Sequence, residues 1–248
     1  MVTYSNGITC CSPPPSSRHR LGYVSTSESR QDSGFRTIAV LGVGRVGSAV
    51  ARTALAAGYE VRVAGSGAAE DIALLAEIVI PGARPMTVVD AVRDADLVVV
   101  AVPLSKYRSV DASALAGKVV IDAMNYWPPI DGQIPDFEND IASTSEVVRR
   151  HLSEARVVKT LNHIGYHELE DDAAPSGTTG RRALAVASDD EAAAADVRVV
   201  LDRFGFDSLY AGPLAAGRAF EPGTVIFNGS FPRDELLREL ELHPHPTH

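Results

Sequence analysis

Six residues, Gly42-Val43-Gly44-Arg45-Val46-Gly47, carry the spacing G-x-G-x-x-G. Glycines at these intervals can perform one chemical task together. The first permits a tight turn, the second lets backbone approach a pyrophosphate, and the third lets a helix pack close on a strand. The context needed for that reading is present. The apolar run Thr37-Ile38-Ala39-Val40-Leu41 precedes the turn, and a helix-period segment from Arg45 to Ala57 follows, closed by Gly58. A strand feeding a helix N-terminus through such a turn leaves N–H groups free for phosphate oxygens. The motif therefore predicts a dinucleotide site on Gly42, Val43, Gly44, Arg45, Val46 and Gly47.

The choice of dinucleotide is read about 20 residues later, where an NAD site usually carries an acid for the ribose hydroxyls. The second strand ends Val63-Ala64-Gly65-Ser66-Gly67 and has no acid there. NADP(H) is expected, with Ser66 and loop N–H groups meeting the 2′-phosphate and Arg45 adding positive charge. Two further segments follow strands, Ala101-Val102-Pro103 and Asp122-Ala123-Met124-Asn125. Ligands of open parallel sheets bind at the carboxyl ends of strands, so Ala101, Val102, Pro103 and Asn125 join the expected site. Asn162 or His163, just past a strand ending at Thr160, is placed near the nicotinamide, and Leu161 and Asn162 join the cofactor-binding residues. His163 and His167 stand four apart and would share a face if helical, as metal ligands can. No third ligand has a matching spacing and Gly165 interrupts, so no metal is expected. Lys159, His163 and Tyr126 are the candidate proton donors should the chemistry need one.

The elements that position these residues alternate. Strands are expected at 37–41, 60–64, 84–87, 96–101, 118–122, 156–160, 182–187 and 207–210. Helices are expected at 45–57, 68–78, 88–93, 143–151, 190–204 and around 236–240. Ser143 with Glu146 reads as a capping box, Gly205 as a helix stop. Strands alternating with helices predict an α/β fold of Rossmann type, a doubly wound, mostly parallel sheet with a small C-terminal extension. The expected organisation is a disordered leader at 1–35, a dinucleotide-binding domain at 36–155, an α/β continuation at 156–242 that completes the sheet and the acceptor side, and a tail at 243–248.

Composition narrows the function. The net charge of -9 argues against nucleic acid as a partner, though not against a nucleotide. No apolar run approaches membrane-spanning length. Cys10 and Cys11 are the only cysteines, which excludes a disulfide framework and fits a reducing, cytoplasmic setting. The Ser-, Pro- and Arg-rich start lacks the apolar stretch of a secretory signal.

Five segments together resemble a known family. They are Ala39 to Gly44, Val100 to Pro103, Val157 to Asn162, Ala187 to Glu191, and Asp207 to Arg218 with Ala211-Gly212-Pro213-Leu214. They are similar to the NADP oxidoreductases related to F420-dependent NADP reductase, whose fold recurs in the cytoplasmic domain of the STEAP metalloreductases. The likeness runs from about Thr37 to Gly229. It implies hydride transfer between NADP(H) and coenzyme F420 or a flavin, a small-molecule redox acceptor, and a homodimer. Such a transfer needs contact between two rings rather than an acid–base side chain. The chain departs from the family at Gly67, where a basic residue usually grips the 2′-phosphate, and in ending soon after Gly229. Reduction of a small organic substrate, and nucleotide sensing without turnover, are the alternatives.

Overall fold

In the computed structural model, residues 34–138 and 142–242 are described. The leader expected at 1–35 falls almost wholly outside these residues, as does the tail at 243–248. In chain order the elements are β1 (Thr37–Leu41), α1 (Arg45–Ala56), β2 (Glu60–Ala64), α2 (Glu70–Val79), β3 (Arg84–Pro85), α3 (Val88–Arg93), β4 (Leu97–Val100) and β5 (Val119–Asp122). There follow α4 (Pro128–Asp131), α5 (Pro135–Glu138), α6 (Thr144–His151), β6 (Arg156–Lys159), α7 (Glu168–Asp171), β7 (Ala183–Ala187), α8 (Glu191–Phe204), β8 (Asp207–Gly212) and α9 (Arg233–Leu242). Short 3-10 turns cover Leu104–Ser109, Ser113–Leu115 and Leu214–Phe220.

One eight-stranded sheet holds the order β3-β2-β1-β4-β5-β6-β7-β8. Its first six strands are the Rossmann arrangement, parallel and reversing direction of growth between β1 and β4. The two-residue period of a strand divides the core. Ile38 and Val40 of β1 join α1, α2 and α8 residues on one face. Ala39 and Leu41 join α3 and α6 residues on the other. Both faces of β1, β4 and β5 are covered, which explains why these strands are almost wholly apolar rather than alternating.

The local signals act where they were expected. The Ser143 hydroxyl accepts from the Glu146 N–H, and the Glu146 carboxylate accepts from the Ser143 N–H, a complete capping box at α6. Asp190 caps α8, and Gly205 closes it at φ 106°, a left-handed conformation that favours glycine. The α2 helix begins at Glu70, two residues later than the pattern suggested.

The sheet departs from the parallel pattern at one place. The β7 strand runs antiparallel to β6, with Lys159 opposite Ala187. Residues 160–182 contain only the four-residue α7, so no long helix carries the chain back for a parallel return. The β7-α8-β8 unit is itself parallel and adds to the edge as a block. Its outer face closes over a smaller core of Leu209, Phe220, Ile226 and Leu236. Among the described residues, no helix is long and apolar enough to cross a membrane.

Candidate active site

The strand register fixes where the site forms. Leu41, Val100, Asp122 and Lys159 stand side by side as the last residues of β1, β4, β5 and β6, and Ala64 of β2 lies beside Leu41. At about 4.8 Å per strand, the row from β2 to β6 spans about 19 Å, long enough to carry a dinucleotide across the strand ends. Every predicted site segment leaves this row. The Gly42 N–H donates to the Ala64 carbonyl (2.8 Å), the Ala101 N–H to Leu41 (2.8 Å), and the Ala123 N–H to Val100 (3.1 Å).

The three glycines of the turn differ in what demands them. Gly42 has φ 105°, and a Cβ there would stand 2.5 Å from the Ala101 carbonyl oxygen. A Cβ on Gly47 would stand 1.8 Å from the Gly42 carbonyl oxygen. The protein's own packing requires both. Gly44 is extended, at φ -72° and ψ -171°, and a Cβ there would meet nothing within 4 Å. Neither backbone strain nor internal packing accounts for Gly44. Open space in front of a twelve-residue helix, whose N-cap offers no side chain to its N–H groups, is the shape a pyrophosphate fills. Val43 and Val46 pack against the core at the turn's rear. Arg45 is exposed, and its guanidinium lies 5.7 Å from the Tyr166 ring centre, beside a cavity of about 390 Å³ that includes Val43 and Gly44.

Ser66 is exposed in the loop after β2, where it was placed from the sequence. The absence of an acid there does not survive folding. Asp71, in the first turn of α2, folds back so that its Oδ2 accepts from the Ala68 N–H at 2.9 Å.

At the other end of the row, Asn125 and Asn162 form a reciprocal pair. Asn125 Nδ2 donates to the Asn162 carbonyl at 2.6 Å, and Asn162 Nδ2 donates to Asn125 Oδ1 at 3.1 Å. Asn162 Nδ2 also reaches the Phe220 carbonyl at 2.9 Å. Leu161, which precedes it, has φ 64°, the one non-glycine residue in the left-handed region among those described. Such strain persists only where the surroundings fix it, and here it turns Asn162 toward Asn125. Ala101 and Val102 flank this region half-buried, and Pro103 stands exposed at the start of the 104–109 turn.

The candidate proton donors are committed elsewhere. Lys159 is fully buried, donating to the Met124 carbonyl and standing 3.5 Å from Asp122 Oδ2. Asp122 is held in turn by the Ser145 hydroxyl (2.5 Å) and the Met124 N–H (2.9 Å). This buried network anchors the segment that leads into Asn125. His163 accepts the Ala185 N–H on Nε2 at 2.9 Å. Burial drives its imidazole down to about 3, with the Arg182 and Lys159 charges adding to the effect, so it is neutral. His163 lies in a turn and His167 stands just before the short α7, so the two do not share a helical face. The Tyr126 hydroxyl donates to Glu138, and lost hydration followed by that carboxylate raises the phenol above its usual range.

Beyond Asn125 a cavity of about 420 Å³ opens between Tyr126, Trp127, Phe137, Arg218 and Glu221. Trp127 and Phe227 stand with ring centres 6.0 Å apart, and Tyr126 and Phe137 at 5.4 Å. The volume and aromatic lining suit one planar ring system. Sequence reasoning missed Trp127 and Phe137 here, although the single tryptophan follows Asn125-Tyr126 closely enough to have been a signal. Arg218 was noted only within a resembling segment. The 211–214 stretch of that segment is tied to the 187–191 stretch. The Leu214 N–H donates to Asp189 Oδ1 (3.0 Å), and the Ser188 N–H to the Gly212 carbonyl (3.0 Å).

Residues 37–126 match the family model described as NADP oxidoreductase, coenzyme F420-dependent. That match spans β1 to the residue after Asn125 and bears out the resemblance over those residues. Among solved structures, hypothetical protein SMa0349 from Sinorhizobium meliloti is 25% identical, with a TM-score of 0.69, covering 80% of this chain and 96% of its own. A protein from Arthrobacter sp. FB24, put forward as an F420-dependent NADP-reductase, is 27% identical, with a TM-score of 0.63, covering 75% and 88%. Glycerol-3-phosphate dehydrogenase from Coxiella burnetii, at 13% identity and a TM-score of 0.53 over 71% of this chain and 54% of its own, shares the fold. The comparison with curated proteins returned no match.

Proposed function

We propose that this chain is an NADP(H)-dependent oxidoreductase that passes hydride between NADP(H) and a planar acceptor of the flavin or deazaflavin (coenzyme F420) class. The observation that carries the reading is Gly44, a glycine that nothing inside the protein requires, facing open space at a helix N-terminus. The family match over residues 37–126 and the 27%-identical neighbour support the oxidoreductase class.

The N–H groups at the start of α1 hold the pyrophosphate, and Arg45 adds charge at the same turn. Ser66 meets the ribose at the end of β2. The Asn125–Asn162 pair presents amide groups at the far end of the row, and the buried Lys159–Asp122 network keeps that pair in place. Bound there, the nicotinamide supplies a two-electron hydride chemistry. The aromatic cavity between Trp127 and Phe137 takes the acceptor ring against its aromatic wall.

Reduction of a small organic substrate with protonation is the weaker reading, because Lys159, His163 and Tyr126 each have their polar atoms engaged. A homodimer and a cytoplasmic setting belong to the same proposal. The test is to incubate the purified protein with NADPH and follow absorbance at 340 nm while coenzyme F420 or FMN is added. Oxidation that depends on the acceptor is expected. Tight NADPH binding with no oxidation by either acceptor would overturn the acceptor class and favour a nucleotide sensor.

A further inference from the structure

The loop after β2 is where a dinucleotide held on the glycine turn presents the ribose that distinguishes NADP from NAD. Its five residues, Gly65-Ser66-Gly67-Ala68-Ala69, bring no cationic side chain. Into this loop the fold inserts a carboxylate. Asp71 Oδ2 accepts from the Ala68 N–H at 2.9 Å. It also lies 2.3 Å from the position that a Cβ on Gly67 would occupy, so any side chain at 67 would have to displace it.

Asp71 therefore acts twice against a 2′-phosphate. It occupies a loop N–H that would otherwise donate to phosphate oxygens, and it places a negative charge beside them. A ribose with both hydroxyls free suffers neither penalty, since a hydroxyl can donate to the carboxylate.

We propose that Asp71 is a specificity-determining residue that removes discrimination for the 2′-phosphate, so that the site takes NADH on equal terms with NADPH. The proposal rests on the reading of the glycine turn as a dinucleotide site and extends the donor beyond NADP(H). Asp71 also ties the Ala68 N–H to the first turn of α2, so the test must separate charge from shape. Asp71→Asn does so, because its amide oxygen still accepts from the Ala68 N–H while the charge is gone.

The experiment is calorimetric titration of the wild type and Asp71→Asn with NADPH and with NADH, with circular dichroism as a control for folding. The wild type is expected to bind the two within about ten-fold of each other. Asp71→Asn is expected to shift the ratio toward NADPH by about ten-fold, and Asp71→Ala combined with Gly67→Arg by about a hundred-fold. A wild type that prefers either dinucleotide by more than about ten-fold, or an unchanged ratio in Asp71→Asn, would overturn the proposal while leaving the site intact. Failure of both dinucleotides to bind the wild type would overturn it together with the site on which it rests.

Discussion

Gly42, Gly44 and Gly47 are the same residue with three different reasons to be there, and substitution separates them. Gly47→Ala drives a Cβ into the Gly42 carbonyl, 1.8 Å away on unchanged backbone. It should destabilise the fold by about 2 kcal/mol or more, readable as a lower urea midpoint. Gly44→Ala meets open space and should leave that midpoint within the spread of surface changes. The pH behaviour is also set at this scale. His163 binds protons less readily in the fold, at about 3, than a free imidazole at 6.5. The unfolded chain therefore takes up a proton that the native state refuses. The stability that neutral His163 contributes is complete above pH 6.5 and is lost as pH falls through 6.5 toward 3. His163→Gln should flatten the loss of stability between about pH 6.5 and pH 5, measured by urea unfolding across that range. A slope as steep as that of the wild type would contradict the assignment of a neutral, buried imidazole. The glycine spacing was legible as a string of letters. The Asp71 carboxylate was not, because only the first turn of α2 brings residue 71 back onto Gly67 and Ala68.

At the scale of elements, Arg181 ties the segment before β7 to α8 and β8. Its buried side chain donates to the carbonyls of Ala174 (2.9 Å) and Gly205 (3.0 Å) and pairs with Asp202 (2.6 Å) and Asp207 (3.0 Å). Both carboxylates keep partial exposure, at 39% and 33%, so water can take them back, whereas the Ala174 carbonyl depends on the arginine; the Gly205 carbonyl also accepts from the Ala174 N–H at 3.0 Å. Arg181→Met should cost about 3 kcal/mol in urea unfolding. Dinucleotide affinity should stay unchanged, because Arg181 lies at the β7-β8 end of the sheet, away from the glycine turn. Helix ends were readable at this scale, since Ser143, Asp190 and Gly205 act through local chemistry. The direction of β7 was not. It depends on how residues 160–182 turn back, and Arg182, paired with Glu168 and Asp172, closes that turn through contacts spread along the chain.

For the whole molecule, the sheet order matters more than any single contact. Reversal between β1 and β4 opens a crevice at the strand ends, and the register lines Gly42, Ala101, Ala123 and Thr160 along it. The glycine turn with its flanking strand and helix made this crevice legible from the sequence. The aromatic cavity was not, because it assembles residues from 126–137, 142–144 and 218–223, which meet only after β7 and β8 have joined the sheet. Trp127→Ala should weaken the acceptor's apparent affinity about ten-fold and leave dinucleotide affinity unchanged, measured as separate KM values in the 340 nm assay. Equal loss for both would contradict the division of the crevice into donor and acceptor ends. The central claim is that Gly44 faces a pyrophosphate. Its most direct test is titration of the wild type and Gly44→Val with NADPH and NADH, with thermal unfolding followed in parallel. The account predicts micromolar or tighter binding by the wild type, a loss of at least a hundred-fold in Gly44→Val, and an unfolding midpoint lowered by a few degrees at most. Undiminished affinity in Gly44→Val would contradict it.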